Sequence, residues 1–235
     1  MGQTIAALRA SIKEADAAAE EKAKQDLDIL QKLVDAKLDG FEHQLNEMFL
    51  NPDSAAKTQV PGIRALRWER RSTCSVVEKP SEEVGGVVDD LFKIGDGNNK
   101  QAVKDGFKGI VKTALNVFLG NTEVGQFEES KFFVYMLHNT IIRVDLKLWR
   151  WNFSGKGFSD THKSVLGYIM CVSAVSPIKL HTAEFVYLIS EYAGDSEENV
   201  TTYIKTMQKM YSVARAIKKG KTPNKIDDDD DEQAE

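Results

Sequence analysis

Cysteine is scarce: two residues in 235, Cys74 and Cys171, far apart and without CxxC or Cys/His spacing. That leaves neither a disulfide framework nor a zinc site to read, and both thiols are expected to be free, in a reducing compartment. Long apolar runs are missing too. No stretch is long enough to span a bilayer, and Lys13 and Glu14 interrupt the N-terminus before a secretory core can form. A cytoplasmic location follows, which makes the sequons at Asn152 and Asn199 chance matches. Strong charge of either sign is absent as well. A net charge of -5 gives no general pull toward nucleic acid, so any basic function is local. We find no internal repeat and no catalytic or cofactor motif, so neither an enzyme, a cofactor nor a metal is expected. Met1-Gly2-Gln3-Thr4-Ile5-Ala6 approaches the N-myristoylation pattern, with Ala6 where Ser or Thr is preferred.

What is present is an ordinary globular composition, 42% hydrophobic and 29% charged, around one central stretch. Phe127 to Phe153 holds Trp149 and Trp151 and no Gly or Pro. Two periodicities compete in it. Ile142, Val144, Leu146 and Leu148 alternate with Arg143, Asp145 and Lys147, as in a half-buried strand. Over the longer window Val134, Leu137, Ile141, Val144, Leu148 and Trp151 recur at steps of three and four, as on a helix. The helical pattern explains more residues and suits the neighbouring segments. The expected fold is therefore all-α, a single-domain bundle of about six to seven helices with a long N-terminal helix. The alternative is α+β, with strands around 132–153 and 165–176.

The expected organisation is a long N-terminal helix (1–50), a linker with a short basic segment (51–80), a helical bundle domain (81–219) and a disordered acidic tail (220–235). In the first, Leu27, Val34, Phe41 and Met48 stand a heptad apart, and Leu30, Leu38 and Leu45 widen the stripe. The seam suits a bundle helix or a coiled coil through which the chain self-associates. In the basic segment Arg64, Arg67 and Arg71 share one face of a helical turn, with Trp68 beside them. Such a patch suits an acidic partner, an anionic lipid surface or phosphates, or simply surface ion pairs and a cation–π contact. GDGNNK at 95–100 lacks the later acidic residues of a calcium loop.

Residues 101–119 combine a broad apolar face, Phe107, Val111 and Phe118 within it, with Lys104, Lys108 and Lys112 along its border. That composition fits an amphipathic core helix and equally an interfacial membrane helix with snorkelling lysines. Val165, Ile169, Val172 and Val175 suggest a further helix behind Ser159. Thr182 starts the next, closed by Gly194, and Asp195 with Glu198 forms a capping-box-like start for the last.

On a helix, His138, Asp145 and Asn152 form a polar seam in the middle of the apolar face, to be met by partners from neighbouring helices. Their rise of about 10.5 Å per seven residues keeps any two of them from one metal or one proton. Read as a strand, the seam dissolves and Asp145 faces solvent. The function expected is a non-enzymatic helical interaction protein acting through surfaces, its partner another protein or a second copy through the N-terminal helix. A membrane-active protein using 101–119 on an anionic surface, lipid-binding or pore-forming, is the alternative; an enzyme using the seam comes last. Neither nucleic acid nor metal is expected as a partner.

Overall fold

The computed structural model describes residues 17–51, 53, 59–75, 109, 111–115, 117–118, 125–137, 139–152, 164–194 and 196–220. They belong to two compact units, Met1–Lys179 and Leu180–Glu235.

The first unit is built on an antiparallel sheet, which corrects the all-α expectation: the fold is α+β, neither a helical bundle nor a coiled coil. Helix α1 (Ala17–Leu50) precedes strands β1 (Gly62–Ser75), β2 (Gly125–Leu137), β3 (Thr140–Asn152) and β4 (Ser164–Val175), with helical residues within 109–118 between β1 and β2. The four strands lie in the order β1-β4-β3-β2. The range 132–153, read above as one element, is two. Leu137 pairs with Thr140, so a tight turn joins β2 to β3, and Asn139 in it holds φ at 59°, a left-handed conformation that asparagine tolerates. Ile142, Val144, Leu146 and Leu148 point to one face of the sheet, as their alternation with charged residues requires.

The two faces are covered by different helices. Along α1, Val34, Leu38, Phe41, Leu45 and Met48 bury a stripe against Trp149, Val165, Ile169 and Cys171. The heptad seam of the sequence is therefore used, but its partner is a sheet. Ion pairs fasten the rims of this contact: Arg70 of β1 reaches Asp39 at 2.6 Å and Glu42 at 2.9 Å, and Lys37 reaches Glu128 of β2 at 2.9 Å. On the opposite face Val111, Leu115 and Phe118 pack on Tyr135, Ile142, Val144, Leu146, Leu148, Tyr168 and Met170. With helices on both sides, β3 is buried along nearly its whole length.

Close approach of α1 needs a residue without a side chain below it. A Cβ on Gly167 would lie 3.0 Å from Val34 Cγ1 and 3.4 Å from Leu38 Cδ2. At the start of β1, a Cβ on Gly62 would collide with the Ser173 hydroxyl and lie 2.9 Å from Ser173 Cβ, so even with the hydroxyl rotated away the backbone would have to shift to admit it.

The second unit is a helical hairpin. In it α2 (Thr182–Ala193) and α3 (Glu197–Lys218) pack through Leu188, Ile189 and Met207, with the Tyr192 and Tyr203 rings 5.2 Å apart. Gly194 turns the chain at φ 103°. The cap of α3 is Ser196, whose Oγ accepts the Asn199 N–H at 3.2 Å, one residue later than the Asp195 expected from sequence.

Candidate functional site: a charged line beneath α1 and the basic edge of β1

On a strand, residues an odd number of positions apart face opposite ways. Asp145 and Asn152 are therefore on opposite faces of the sheet, about 23 Å apart along β3, and His138 lies outside the described residues. The expected polar seam is not assembled. Nor does Asp145 face solvent: it is 3% exposed, in the middle of the α1 face.

What the sheet brings together instead is Arg143, Asp145 and Lys147, successive side chains on that face. Arg143 Nε donates to both Asp145 oxygens at 3.0 and 2.8 Å, and Nη2 donates to Asp145 Oδ1 at 2.5 Å. Its remaining reach goes to the chain entering β1: Nη1 donates to the Val60 carbonyl at 2.7 Å and Nη2 to Gln59 Oε1 at 3.2 Å. The guanidinium also lies 4.0 Å over the ring of Phe132, the residue opposite Asp145 on β2. Lys147 donates to Gln44 of α1 at 2.8 Å and to Ser130 of β2 at 3.2 Å.

Electrostatics follow from this geometry. Burial lowers the Lys147 ammonium below the usual lysine range; the Asp145 carboxylate opposes that fall and the Arg143 charge adds to it. Cys171, directly across from Asp145 on β4, has its thiol pushed up to about 12, chiefly by burial and further by the Asp145 charge. Such a thiol is neutral at neutral pH and makes a poor nucleophile. From β3 the line thus reaches the 59–60 entry through Arg143, and α1 and β2 through Lys147. Its atoms face each other rather than an open cleft. Among the described residues no group of His, Cys, Asp and Glu side chains is placed to hold a metal ion.

The basic segment is brought together, though as a strand. Arg64, Arg67 and Arg71 stand opposite Ala174, Val172 and Tyr168 of β4, which places all three on the face turned away from α1. An irregularity between Ala65 and Arg67 restores the face that a spacing of three would otherwise lose. Trp68 stands opposite Cys171 and goes to the other side, into the α1 contact. Arg71 pairs with Glu69 on its own strand. Ile63 and Leu66 are 50% and 56% exposed on this outermost strand.

The face expected at 101–119 is described only in part. Lys104, Phe107 and Lys108 lie outside the described residues; Val111 is fully buried and Phe118 nearly so beneath the sheet, with Lys112 half-buried and Val117 outward. No helix among the described residues is long and apolar enough to cross a membrane.

Sequence reasoning missed the Arg143–Asp145–Lys147 line as a site because it took the charged half of the alternation as the solvent side. The available signal was Trp149 and Trp151 on the same parity, which no solvent face would carry together. No family model, no curated protein and no solved structure matches the chain.

Proposed function

We propose that the protein is a non-enzymatic interaction protein acting through surfaces, and that the outer edge of β1 receives an extended, acidic segment of a protein partner. One observation carries the reading. β1 is a 14-residue strand at the end of the sheet order, and among the described residues no strand pairs its outer side. An open edge of that length offers backbone donors and acceptors to an incoming strand, and proteins ordinarily protect it unless it is used. Arg64, Arg67 and Arg71 on one face, with Ile63 and Leu66 exposed, add a preference for alternating acidic and apolar residues. The ionisable groups at the centre of the sheet support the same reading, because their hydrogen bonds join elements of the fold. A cytoplasmic setting, with both thiols reduced, belongs to this proposal.

The test is a titration with a Glu/Val-alternating peptide and its Lys/Val counterpart, read by calorimetry and amide exchange. Binding of the acidic peptide alone, with new protection in residues 62–71 and loss in the Arg64→Glu/Arg67→Glu variant, is the expected result. Protection elsewhere, or equal binding of both peptides, sinks the proposal. The membrane reading of 101–119 gains nothing from Val111, Leu115 and Phe118, which are buried against the sheet.

A further inference from the structure

The sheet has a second open edge. β2 stands last in the strand order, and among the described residues no strand pairs its outer side. Helix α1 is set back from this strand: the sheet residues packed beneath it, Trp68, Trp149, Trp151, Val165, Ile169 and Cys171, come from β1, β3 and β4. On the same face of β2, Gln126, Glu128, Ser130 and Phe132 are exposed, with Lys37 and Lys147 reaching across to Glu128 and Ser130. A strand brought alongside β2 therefore meets no helix.

The order of side chains on β2 suits one occupant. Phe127, Glu129, Lys131 and Phe133 share the face turned away from α1, with Ser130 at their midpoint. A second copy of the strand, related by a two-fold axis perpendicular to the sheet, runs antiparallel and keeps like faces together, so the axis must pass through a residue. With the axis at Ser130, Glu129 stands opposite Lys131 of the second copy, Lys131 opposite Glu129, and Phe127 opposite Phe133. Neighbouring centres lose this: at Glu129 two carboxylates meet, and at Lys131 two ammonium groups. Glu129 and Lys131 already pair along their own strand at 2.6 Å, so two copies close a ring of four alternating charges. β1 has no such pattern, since Arg64, Arg67 and Arg71 share its outward face with Glu69 as the one acid.

We propose that two copies of the chain join edge to edge through β2, antiparallel about a two-fold axis at Ser130, into one continuous sheet. Pairing from Gly125 to Tyr135 supplies about one backbone hydrogen bond per residue pair, and the charge ring and aromatic pairs set the register. The contact is isologous, so it closes at two copies, leaves both β1 edges open and does not depend on how they are used. A foreign strand is the competing occupant. It would need aromatic, acid, base and aromatic at alternate positions, an order that β2 itself carries.

Sedimentation equilibrium of the full chain is the test, taken up to about 0.1 mM because so small an interface dimerises weakly. Monomer and dimer, and nothing larger, are expected. Glu129→Lys and Lys131→Glu should each dimerise at least about tenfold more weakly, because like charges then stand opposite. An equal mixture of the two should dimerise like the parent, since each supplies the charge the other lacks. In a Cys74→Ser background, mild oxidation should link Ser130→Cys into a covalent dimer, its two Cα atoms lying about 4.5–5.5 Å apart. Gln126→Cys, roughly 27 Å from its mate in this register, should stay unlinked. The proposal is overturned if the chain is monomeric throughout, if larger species accumulate with concentration, or if the mixture associates no better than its components. It is overturned equally if Gln126→Cys links as readily as Ser130→Cys, or if Arg64→Glu/Arg67→Glu abolishes the dimer, which would route it through β1.

Discussion

Arg143 and Asp145 lie two residues apart on β3 and close on each other through contacts of 2.5 to 3.0 Å, with both side chains 4% exposed. The carboxylate is what makes the buried guanidinium tolerable. Asp145→Ala leaves that charge with neutral acceptors, Gln59 Oε1 and the Val60 carbonyl, among the described residues, and is expected to cost about 3–5 kcal/mol. Removing both charges in Arg143→Met/Asp145→Leu should recover most of the loss, because well-packed apolar groups replace an ion pair at little cost. Urea unfolding of the three proteins checks this. A double variant as unstable as the single one would show that the pair does more than neutralise itself.

Gly167 gives the second expectation. Its hydrogen is the reason α1 can lie with Val34 Cγ1 only 3.0 Å from the Cβ position. Gly167→Val should destabilise by about 1–3 kcal/mol through overpacking. Adding Val34→Ala to it should cost less than the two single changes summed, by about 0.5 kcal/mol or more, because the sites share one space. Strict additivity in thermal or urea unfolding would mean that α1 does not press on β4 at this point.

The same residues explain how far the sequence could be read. The stripe of Val34, Leu38, Phe41, Leu45 and Met48 is a helix stripe and is found as one, since a single helix writes its own period. α2 and α3 are legible for the same reason, with Gly194 marking the turn between them, although the cap of α3 is Ser196 and not the expected Asp195. β3 is not, because it is covered on both sides. A strand buried on both faces is apolar at most positions, so steps of three and four fall on apolar residues as readily as steps of two. Its polar positions, Arg143, Asp145 and Lys147, are buried as well, so alternation did not mean a wet side. β4 misled in the same way: Val165, Ile169, Val172 and Val175 mimic a helical spacing within a strand. The turn carries His138 and Asn139 with no glycine, so the usual mark of a hairpin was missing. In the basic segment the shared face of Arg64, Arg67 and Arg71 was legible, but a bulge rather than a helical turn produces it.

Cys171 leads to a prediction about pH. Its thiol is raised from 9.0 to about 12 in the folded chain, chiefly by burial. The folded protein therefore keeps this proton where the unfolded chain loses it. Stability from this group is fully present below pH 9.0 and is lost as pH rises toward about 12. In a Cys74→Ser background, a disulfide reagent such as dithionitrobenzoate at pH 8 should react with the native protein only at the rate of unfolding, and at once in urea. Cys171→Ala should flatten the decline of stability above pH 9.0 without changing its value at neutral pH by more than a core substitution does. Fast native reaction would mean that the thiol reaches solvent.

The sharpest contrast lies in the segment 109–118, where Val111 is 0% and Val117 is 70% exposed. Val111→Asp puts a carboxyl against Ile142, Val144 and their neighbours, which offer it no hydrogen bond. Leaving a polar group so placed costs about 2–7 kcal/mol, against a total stability of about 5–15 kcal/mol for a domain. The cooperative unfolding transition should therefore be lost or much weakened at neutral pH. It should return in part at acid pH: burial raises the carboxyl pKa, so the penalty is least when the group is protonated in both states and grows as pH rises. Val117→Asp, a few residues away, should change stability by no more than about 0.5 kcal/mol. Both variants are exposed or buried by the same short helix, so a normal, pH-independent transition in Val111→Asp would show that this helix leaves the sheet in solution. That outcome would free its apolar face and restore the membrane reading of residues 101–119.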